Sequence, residues 1–290
     1  MNARDIKRRM KSIENTRQIT KAMEMVAATK MRKAQAAVIA SRDYADRARK
    51  LLAAVSAEAA PEDIQNQPLL QQRPVKRTAF VILGSDRGLC GSMNTNVFKA
   101  ALQEAEGAPG PAYVAVGRKA ELAFRRQSLV ASFGNLADLS HYEEVLPMAE
   151  LLAEEFTAAR LDKIVMVYPE FVSTLTNQPR VETLLPAVLP PAEAEQPERS
   201  ANSAQTLYEP SPEAVLTSLL PRMLETRLFQ ALLETKASEH SSRMLAMRNA
   251  TTNAGDLLDE LKFTYNQARQ AAITQEIAEI AAAGAAGAAA

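Results

Sequence analysis

The sequence predicts an α/β domain inserted between two long α-helices that pair as an antiparallel coiled coil. Three observations indicate this fold class. Residues 6–55 contain no Pro and no Gly, residues 78–185 alternate between short apolar runs and helical patterns, and residues 222–283 contain no Pro and a single Gly. Of the 290 residues, 47% are hydrophobic and 23% are charged. This composition excludes both bulk disorder and a polytopic membrane protein.

Residues 1–60 are predicted to form the first coiled-coil helix, which ends near Pro61. Its apolar residues recur with the alternating spacing of three and four that is typical of a coiled coil. The segment 1–50 carries 14 Lys and Arg against 5 Asp and Glu, so it favours an acidic partner, a nucleic acid or an anionic membrane. Four of the fifteen seam positions are polar, and three of these, Arg17, Thr20 and Glu24, cluster where a competing apolar stripe runs beside them. That stripe consists of Ile19, Met23 and Val26. The full seam is Ile6, Met10, Ile13, Arg17, Thr20, Glu24, Ala27, Met31, Ala34, Val38, Ser41, Ala45, Ala48, Leu52 and Val55.

Residues 75–190 are predicted to form the α/β domain, after a Pro- and Gln-rich linker at 61–74. Because strands and helices alternate along it, we expect a Rossmann-like domain with a largely parallel sheet. The expected strands are Thr78–Leu83, Ala112–Val116, Leu129–Phe133, Lys163–Tyr168 and, at an edge, Arg180–Leu185. The expected helices are Asn94–Glu106, Arg118–Gln127 and His141–Arg160.

Residues 191–211 are predicted to be a loop with a short strand near Thr206–Tyr208, and residues 212–290 the second coiled-coil helix. Ser211 and Pro212 have the residue types of a helix start, whereas Pro221 is expected to kink or restart the helix. If the two long helices pair antiparallel with equal rise, Met23 lies near Ala246 and Ile6 near Phe263. The roughly 20 residues beyond that level would then project as a single helix.

The loop Gly84–Gly91 follows a predicted strand and precedes a helix, which is where phosphate-binding loops lie. Its glycine spacing is not that of a dinucleotide or phosphate loop, and it lacks the phosphate-binding lysine. A tight structural turn is therefore favoured, and an α/β-domain enzyme that binds an anionic ligand here is the alternative. The single cysteine, Cys90, excludes an intramolecular disulfide framework. His240 is expected to be a polar surface residue on its helix, so no metal or cofactor site is predicted.

Three blocks of sequence, in order, resemble the gamma subunit of the bacterial F-type ATP synthase. They are IENTRQITKAMEMVAATKMRKAQ at 13–35, SDRGLCG at 85–91, and a C-terminal block that runs from SEHSSRM at 238–244 to YNQARQAAITQEI at 265–277. The resemblance spans nearly the whole chain, and the architecture derived above is also that of the family. It implies a central-stalk rotor that couples c-ring rotation to the conformational cycle of the catalytic beta subunits and that has no active site or cofactor of its own.

The resemblance also implies partners, a location and contact residues. The partners are three alpha and three beta subunits, the epsilon subunit and the c-ring. The location is the cytoplasmic side of the bacterial cell membrane, as a peripheral subunit that reaches the membrane only through the c-ring. Nucleic acid is not an implied partner, and residues 1–43 contain no aromatic side chain that could stack on bases. By matching motif positions, the contacts with the catalytic ring are Met23, Arg243, Arg269, Gln270, Thr274 and Glu276, and the foot segment facing the c-ring and epsilon is Tyr208–Glu209.

Overall fold

The fold is that of a computed structural model, which describes residues 3–134, 136, 141–189 and 208–288, with side chains through Ile280. The helices are α1 (Ala3–Glu58), α2 (Pro61–Gln65), α3 (Met93–Glu106), α4 (Arg118–Phe124), α5 (Leu146–Thr157) and α6 (Pro212–Ala288). The strands are β1 (Thr78–Leu83), β2 (Ala112–Val116), β3 (Leu129–Phe133), β4 (Lys163–Phe171) and β5 (Asn177–Leu185). Within these ranges, no helix has the length and apolarity needed to cross a lipid bilayer.

The five strands form one sheet in the order β3-β2-β1-β4-β5. The first four strands are parallel and β5 runs antiparallel to β4 at the edge, so the predicted, largely parallel Rossmann-like sheet is confirmed. Every side chain of β1 and β2 is buried, as expected of central parallel strands covered on both faces.

Alternation along β1 builds one apolar core on each face of the sheet. Val81 and Leu83 belong to a core with α5, with the C-terminal end of α1 and with the N-terminal part of α6. Phe80 and Ile82 belong to a second core with α3 and α4. The domain therefore has three layers, and the two long helices enter it as part of one outer layer.

Several element boundaries differ from those predicted. The helix expected at 141–160 is divided into a 3-10 turn at Tyr142–Glu144 and α5, because Pro147 lies in the first turn of α5, where proline starts a helix. The linker 61–74 contains α2 and a 3-10 turn at Pro68–Leu70. Helix α4 ends at Phe124 rather than at Gln127. Strands β4 and β5 are longer than predicted, since they extend as a hairpin.

Helix α6 continues through Pro221 without a restart. Side chains on both sides of the proline are fully buried in the core of the domain: Leu216, Leu220, Leu224 and Leu228. This burial offsets the cost of about 3 kcal/mol for a proline inside a helix. The expected restart is therefore wrong because tertiary packing overrides the local preference. The short strand expected near Thr206–Tyr208 lies largely outside the described residues.

The chain forms two compact units, Met1–Ala27 with Met244–Ala290, and Ala28–Arg243. In the first unit, Thr251 donates a hydrogen bond of 2.9 Å to Thr20, and Arg17 lies beside Gly255. Since the lower number pairs with the higher one, the helices are antiparallel, as predicted. Thr20 lies level with Thr251 rather than with residue 249, so the predicted register is correct to within one helical turn.

Candidate functional site

The distal part of α6 has the most accessible side chains of the long helices. Among the side chains of α6 that are described, which end at Ile280, Leu261 is the last buried one, and every side chain from 269 to 280 is exposed. We call residues 269–280 the exposed tip. Four predicted contact residues lie on it together: Arg269, Gln270, Thr274 and Glu276. The Thr274 hydroxyl donates to the Gln270 carbonyl at 2.9 Å, whereas the charged ends of Arg269 and Glu276 extend from one face of the helix.

An apolar stripe on the exposed tip was missed by the sequence reasoning. Ile273, Ile277 and Ile280 are 47%, 61% and 73% exposed and recur at the helical spacing of four and three. Isolated exposed apolar residues are ordinary, but a stripe of three on one helical face is typical of a surface that a partner covers. The signal was present in the sequence, since the three isoleucines stand among alanines and polar residues.

Met23 lies on the competing stripe of α1, and it is half-buried. Its stripe neighbours Ile19 and Val26 are 60% and 55% exposed. In contrast, every position of the heptad seam except Arg17 is buried or half-buried, which confirms the seam. The stripe therefore leaves an apolar, accessible face on the N-terminal part of α1.

Arg243 is buried, and its guanidinium is fully engaged within the chain. It donates to the carbonyls of Arg87 and Gly88 at 3.2 and 3.1 Å and pairs with the Glu239 carboxylate at 2.8 Å. His240 is also buried, with 2% of its surface exposed, so the prediction of a surface histidine is wrong. The reason is that α6 is surrounded at this level by the α/β domain, which the local sequence around His240 does not reveal.

The loop Ser85–Gly91 uses its polar groups within the chain. The Ser85 N–H donates to the Asn94 side chain at 3.1 Å, and the Asn94 amide donates to the Ser85 hydroxyl at 2.8 Å and to Cys90 Sγ at 3.2 Å. Asp86 accepts from the Arg118 N–H at 3.0 Å, so its carboxylate already lies on the first N–H of α4. This arrangement favours a structural turn over an anion site.

Tyr208 and Glu209 lie just before α6 begins. Tyr208 is half-buried and packs against the larger core, while Glu209 is exposed. Burial raises the pKa of the Tyr208 hydroxyl, and the nearby Glu58 carboxylate raises it further. Tyr208 is therefore a neutral phenol at the surface of the domain next to the end of α1. Among the described residues, no cluster of His, Cys, Asp and Glu is arranged to hold a metal ion.

Comparisons with known proteins agree on one family. The family model described as ATP synthase matches residues 2–288. The chain is 42% identical to the ATP synthase gamma chain of Desulforamulus reducens over 281 residues and 43% identical to that of Moorella thermoacetica over 284 residues, covering 96% of both chains in each case.

Solved structures share the fold. A chain of the Euglena gracilis mitochondrial ATP synthase, from a structure of OSCP, F1 and c-ring in rotational state 3, matches with a TM-score of 0.67 at 19% identity, covering 98% of this chain and 94% of that one. A chain from the Tetrahymena thermophila mitochondrial ATP synthase central stalk and c-ring matches with a TM-score of 0.60 at 22% identity, covering 80% and 99%. From its sequence relatives and the family match over nearly its whole length, the chain belongs to the ATP synthase family, among the gamma chains.

Proposed function

We propose that this gamma chain is the central-stalk rotor of a proton-translocating F-type ATP synthase, in which it couples c-ring rotation to the conformational cycle of the catalytic beta subunits. The observation that carries the proposal is the exposed tip, a helical segment whose polar residues and isoleucine stripe have no cover from the described part of the chain. The relatives with similar sequences are named ATP synthase gamma chain. The solved structures with a similar fold are described as the central stalk or the rotor of an ATP synthase. The gamma chain is a non-catalytic subunit.

The exposed tip is proposed to turn inside a ring of three alpha and three beta subunits. Arg269, Gln270, Thr274 and Glu276 supply polar contacts on several sides, and the isoleucine stripe supplies an apolar one. A rotor needs contacts that are individually weak, because a deep, geometry-locked contact would trap one rotational position. Single charges and an aliphatic stripe on one helix fit that requirement.

Met23 and Arg243 are proposed to lie where the shaft meets acidic loops of the beta subunits. The accessible stripe beside Met23 supports a contact there, and the excess of basic residues in the first 50 positions suits an acidic surface. For Arg243 we propose an indirect part, since its guanidinium holds the carbonyls of Arg87 and Gly88 and so orients the exposed side chain of Arg87.

The foot of the rotor is proposed to be the α/β domain with Tyr208 and Glu209. This segment would face the epsilon subunit and the c-ring, and membrane contact would be made only through the c-ring. The subunit is then peripheral on the cytoplasmic side of a bacterial cell membrane. The half-buried Tyr208 beside the exposed Glu209 supports the proposal, because it offers one anchored and one free side chain at an accessible surface.

The experiment is ATP-driven rotation of a complex assembled from this chain with bacterial alpha and beta subunits. We expect the three proteins to co-purify and a probe fixed to the α/β domain to rotate in one direction when ATP is added. A chain that ends before Arg269 is the control. It should bind the alpha and beta subunits less tightly, and its complex should hydrolyse ATP with less rotation of the probe. Co-purification without rotation, or no association at all, would contradict the proposal.

Calorimetry with ATP on the free chain tests the anion-binding alternative. The internal bonds of Ser85 and Asp86 predict no binding in the micromolar range. Micromolar affinity that is lost when Lys236 is replaced by Met would favour a ligand site at the loop instead.

A further inference from the structure

Two turns of α6 within the α/β unit carry buried and half-buried polar side chains instead of the apolar ones expected at a helix–sheet contact. We call this set the polar collar: Lys236, Ser238, Glu239, Ser241, Ser242 and Arg243. The side chains of Lys236 and Glu239 are each only 4% exposed. Burying a charge is costly unless it is paired and hydrogen-bonded. The charged side chains of the polar collar must therefore be held by ion pairs and hydrogen bonds, which apolar side chains would not need.

One side of the polar collar binds the loop after β1. Lys236 Nζ lies 3.4 Å from Asp86 Oδ2, while the other oxygen of Asp86 accepts from the Arg118 N–H at the start of α4. Arg243 donates to the carbonyls of the same loop, and Glu239 lies between the two cations at 2.8 Å from Arg243 and 3.9 Å from Lys236. Two acids and two bases thus balance in charge and join α6 to the carboxyl end of the sheet.

The opposite side of the collar binds the β4–β5 hairpin. Ser238 donates to the Pro169 carbonyl at 3.0 Å, and Ser241 donates to the Thr174 carbonyl at 2.5 Å. Asn177 at the start of β5 donates to the Ser242 hydroxyl at 2.6 Å. These hydrogen bonds are 2.5–3.0 Å long, and each ends on the backbone or a side chain of the β4–β5 hairpin.

The two sets of bonds leave the helix in nearly opposite directions. With 3.6 residues per turn, the loop-facing and hairpin-facing residues point roughly 140° apart around the helix axis. Apolar contacts are non-directional and permit a helix to turn or slide slightly in its groove. Directed bonds on two sides oppose both movements, because any rotation of the helix about its axis lengthens bonds on each side.

We propose that the polar collar is the joint through which torque passes between the α/β domain and the α6 shaft, with Lys236 as its central positioning residue. This inference rests on the proposed rotor function. Lys236 acts through Asp86 and Glu239, by fixing the angle of the sheet around α6. The apolar cores hold the two parts together, while the collar sets their rotational stiffness.

The test is the angular fluctuation of a probe on the foot of the assembled alpha–beta–gamma complex while it pauses for ATP. The probe is attached at Leu122→Cys, a position that is 51% exposed, whereas the native Cys90 is buried. The main variant combines Lys236→Met with Asp86→Asn, which removes one charge of each sign and keeps the volumes close. We expect the angular variance to rise by about a factor of two or more, since a buried ion pair is replaced by non-directional packing.

The matched control is Lys262→Met with Asp259→Asn, the same change in an exposed pair on the same helix, where parental variance is expected. Lys236→Arg keeps the charge, so the angular variance of this variant should equal that of the parent complex. Ser238→Ala with Ser241→Ala removes only two hydroxyls from the other side, so it tests the joint even if the charge variant fails to assemble. Unloaded ATP hydrolysis should be unchanged in all of them.

If the assembled charge variant or the serine variant shows the same angular variance as the parent complex, the proposal that the polar collar is the joint is contradicted. If the parent complex shows no rotation of the foot probe, the rotor function itself fails. If the parent rotates and the variants fluctuate as the parent does, only the role of the polar collar fails.

Discussion

Gly117 shows how one residue determines the close approach of two loops at the carboxyl end of the sheet. Its φ is +90°, and a side-chain carbon at this position would lie 2.3 Å from the Gly84 carbonyl oxygen. Contacts this short do not occur, so either the β1 loop or the start of α4 would have to move. The same loop contains Asp86, which the polar collar requires.

Gly117→Ala is expected to lower the free energy of unfolding by about 2 kcal/mol or more, because left-handed strain of roughly 1–3 kcal/mol adds to the clash. Urea unfolding of the chain measures the effect. Gly107→Ala is the matched control, since no atom lies within 4 Å of its added carbon, and its change should stay within about 0.5 kcal/mol. Equal free energies of unfolding for the two variants would show that the loop after β1 can move away from the added carbon at no cost.

Glu234 is a buried acid on α6 whose carboxyl is poorly matched by its surroundings. Burial raises its pKa, the Glu170 carboxylate raises it further, and Arg42 and Arg180 oppose the shift. Gln230 donates a weak bond of 3.5 Å to one carboxyl oxygen. The folded chain therefore holds this proton more tightly than the unfolded chain does. The stability that Glu234 contributes is present at acid pH and is lost as the pH rises through the raised pKa.

Glu234→Gln should accordingly leave stability unchanged at pH values below the ordinary range of a glutamate and raise it at neutral pH. The reason is that a neutral amide avoids the cost of ionising a buried group. Thermal unfolding measured between acid and neutral pH gives the result. Glu276→Gln, on the exposed tip, is the control and should show no such pH-dependent gain. A variant less stable than the parent at neutral pH would mean that the charge of Glu234 is used.

At the scale of elements, the contact between α1 and α6 in the α/β unit depends on small side chains. Ala34 and Val38 of α1 form one buried cluster with Leu233 and Ala237 of α6 and with Phe171 of β4. Alanine at these positions allows the helix backbones to approach closely. Larger residues would force the helices apart and would also displace the serines of the polar collar.

Ala237→Leu is expected to destabilise the chain by about 1–3 kcal/mol through overpacking. Ala54→Leu, an exposed position on α1, receives the same added volume and should change stability by no more than about 0.5 kcal/mol. Denaturant midpoints of the two variants make the comparison. If Ala237→Leu proves as stable as the parent, the helices have room to separate and the close contact is not needed.

The sequence revealed those elements whose signals are local and repeated. The heptad seam of α1 and the apolar runs of β1, β2 and β4 depend on periodicity, and the structure confirms them. Helix boundaries that depend on a proline or on tertiary packing were harder to predict from the sequence, as Pro147 and Pro221 show. The polar collar could not be predicted, because its partners lie 65 to 156 residues away in the sequence. The burial of His240 was not predicted for the same reason.

At the scale of the whole molecule, charge is distributed unevenly along a chain with no net charge. The first 50 residues hold the excess of Lys and Arg, and they include the accessible stripe of α1. A surface of this kind steers acidic partners toward it and weakens with salt. The accessible side chains of the stripe suit the proposed contact, because a rotor must leave each partner as it turns.

Met23→Lys is expected to impair coupling more than folding. At the proposed contact, a flexible apolar side chain would be replaced by a cation close to acidic loops, and an ion pair shielded from water exceeds the roughly 0–1 kcal/mol of an exposed pair. Each additional 1.4 kcal/mol lengthens the stay in one rotational position about tenfold. ATP hydrolysis and proton pumping, both measured in membranes, should then separate, with pumping reduced more. Met23→Leu is the control and should couple normally, whereas proportional loss of both activities would make Met23 merely structural.

The exposed tip has a consequence for how the complex comes together. Most of the stability of a helix in a protein comes from tertiary packing, and residues 269–280 of α6 have no tertiary cover within the described chain. Their backbone amides should therefore exchange hydrogen with solvent quickly in the free chain, and slowly in the assembled complex if the catalytic ring surrounds them as proposed. If the ring covers the tip as proposed, the tip becomes fully ordered only on assembly, and the conformational entropy lost there subtracts from the affinity of the ring for this helix.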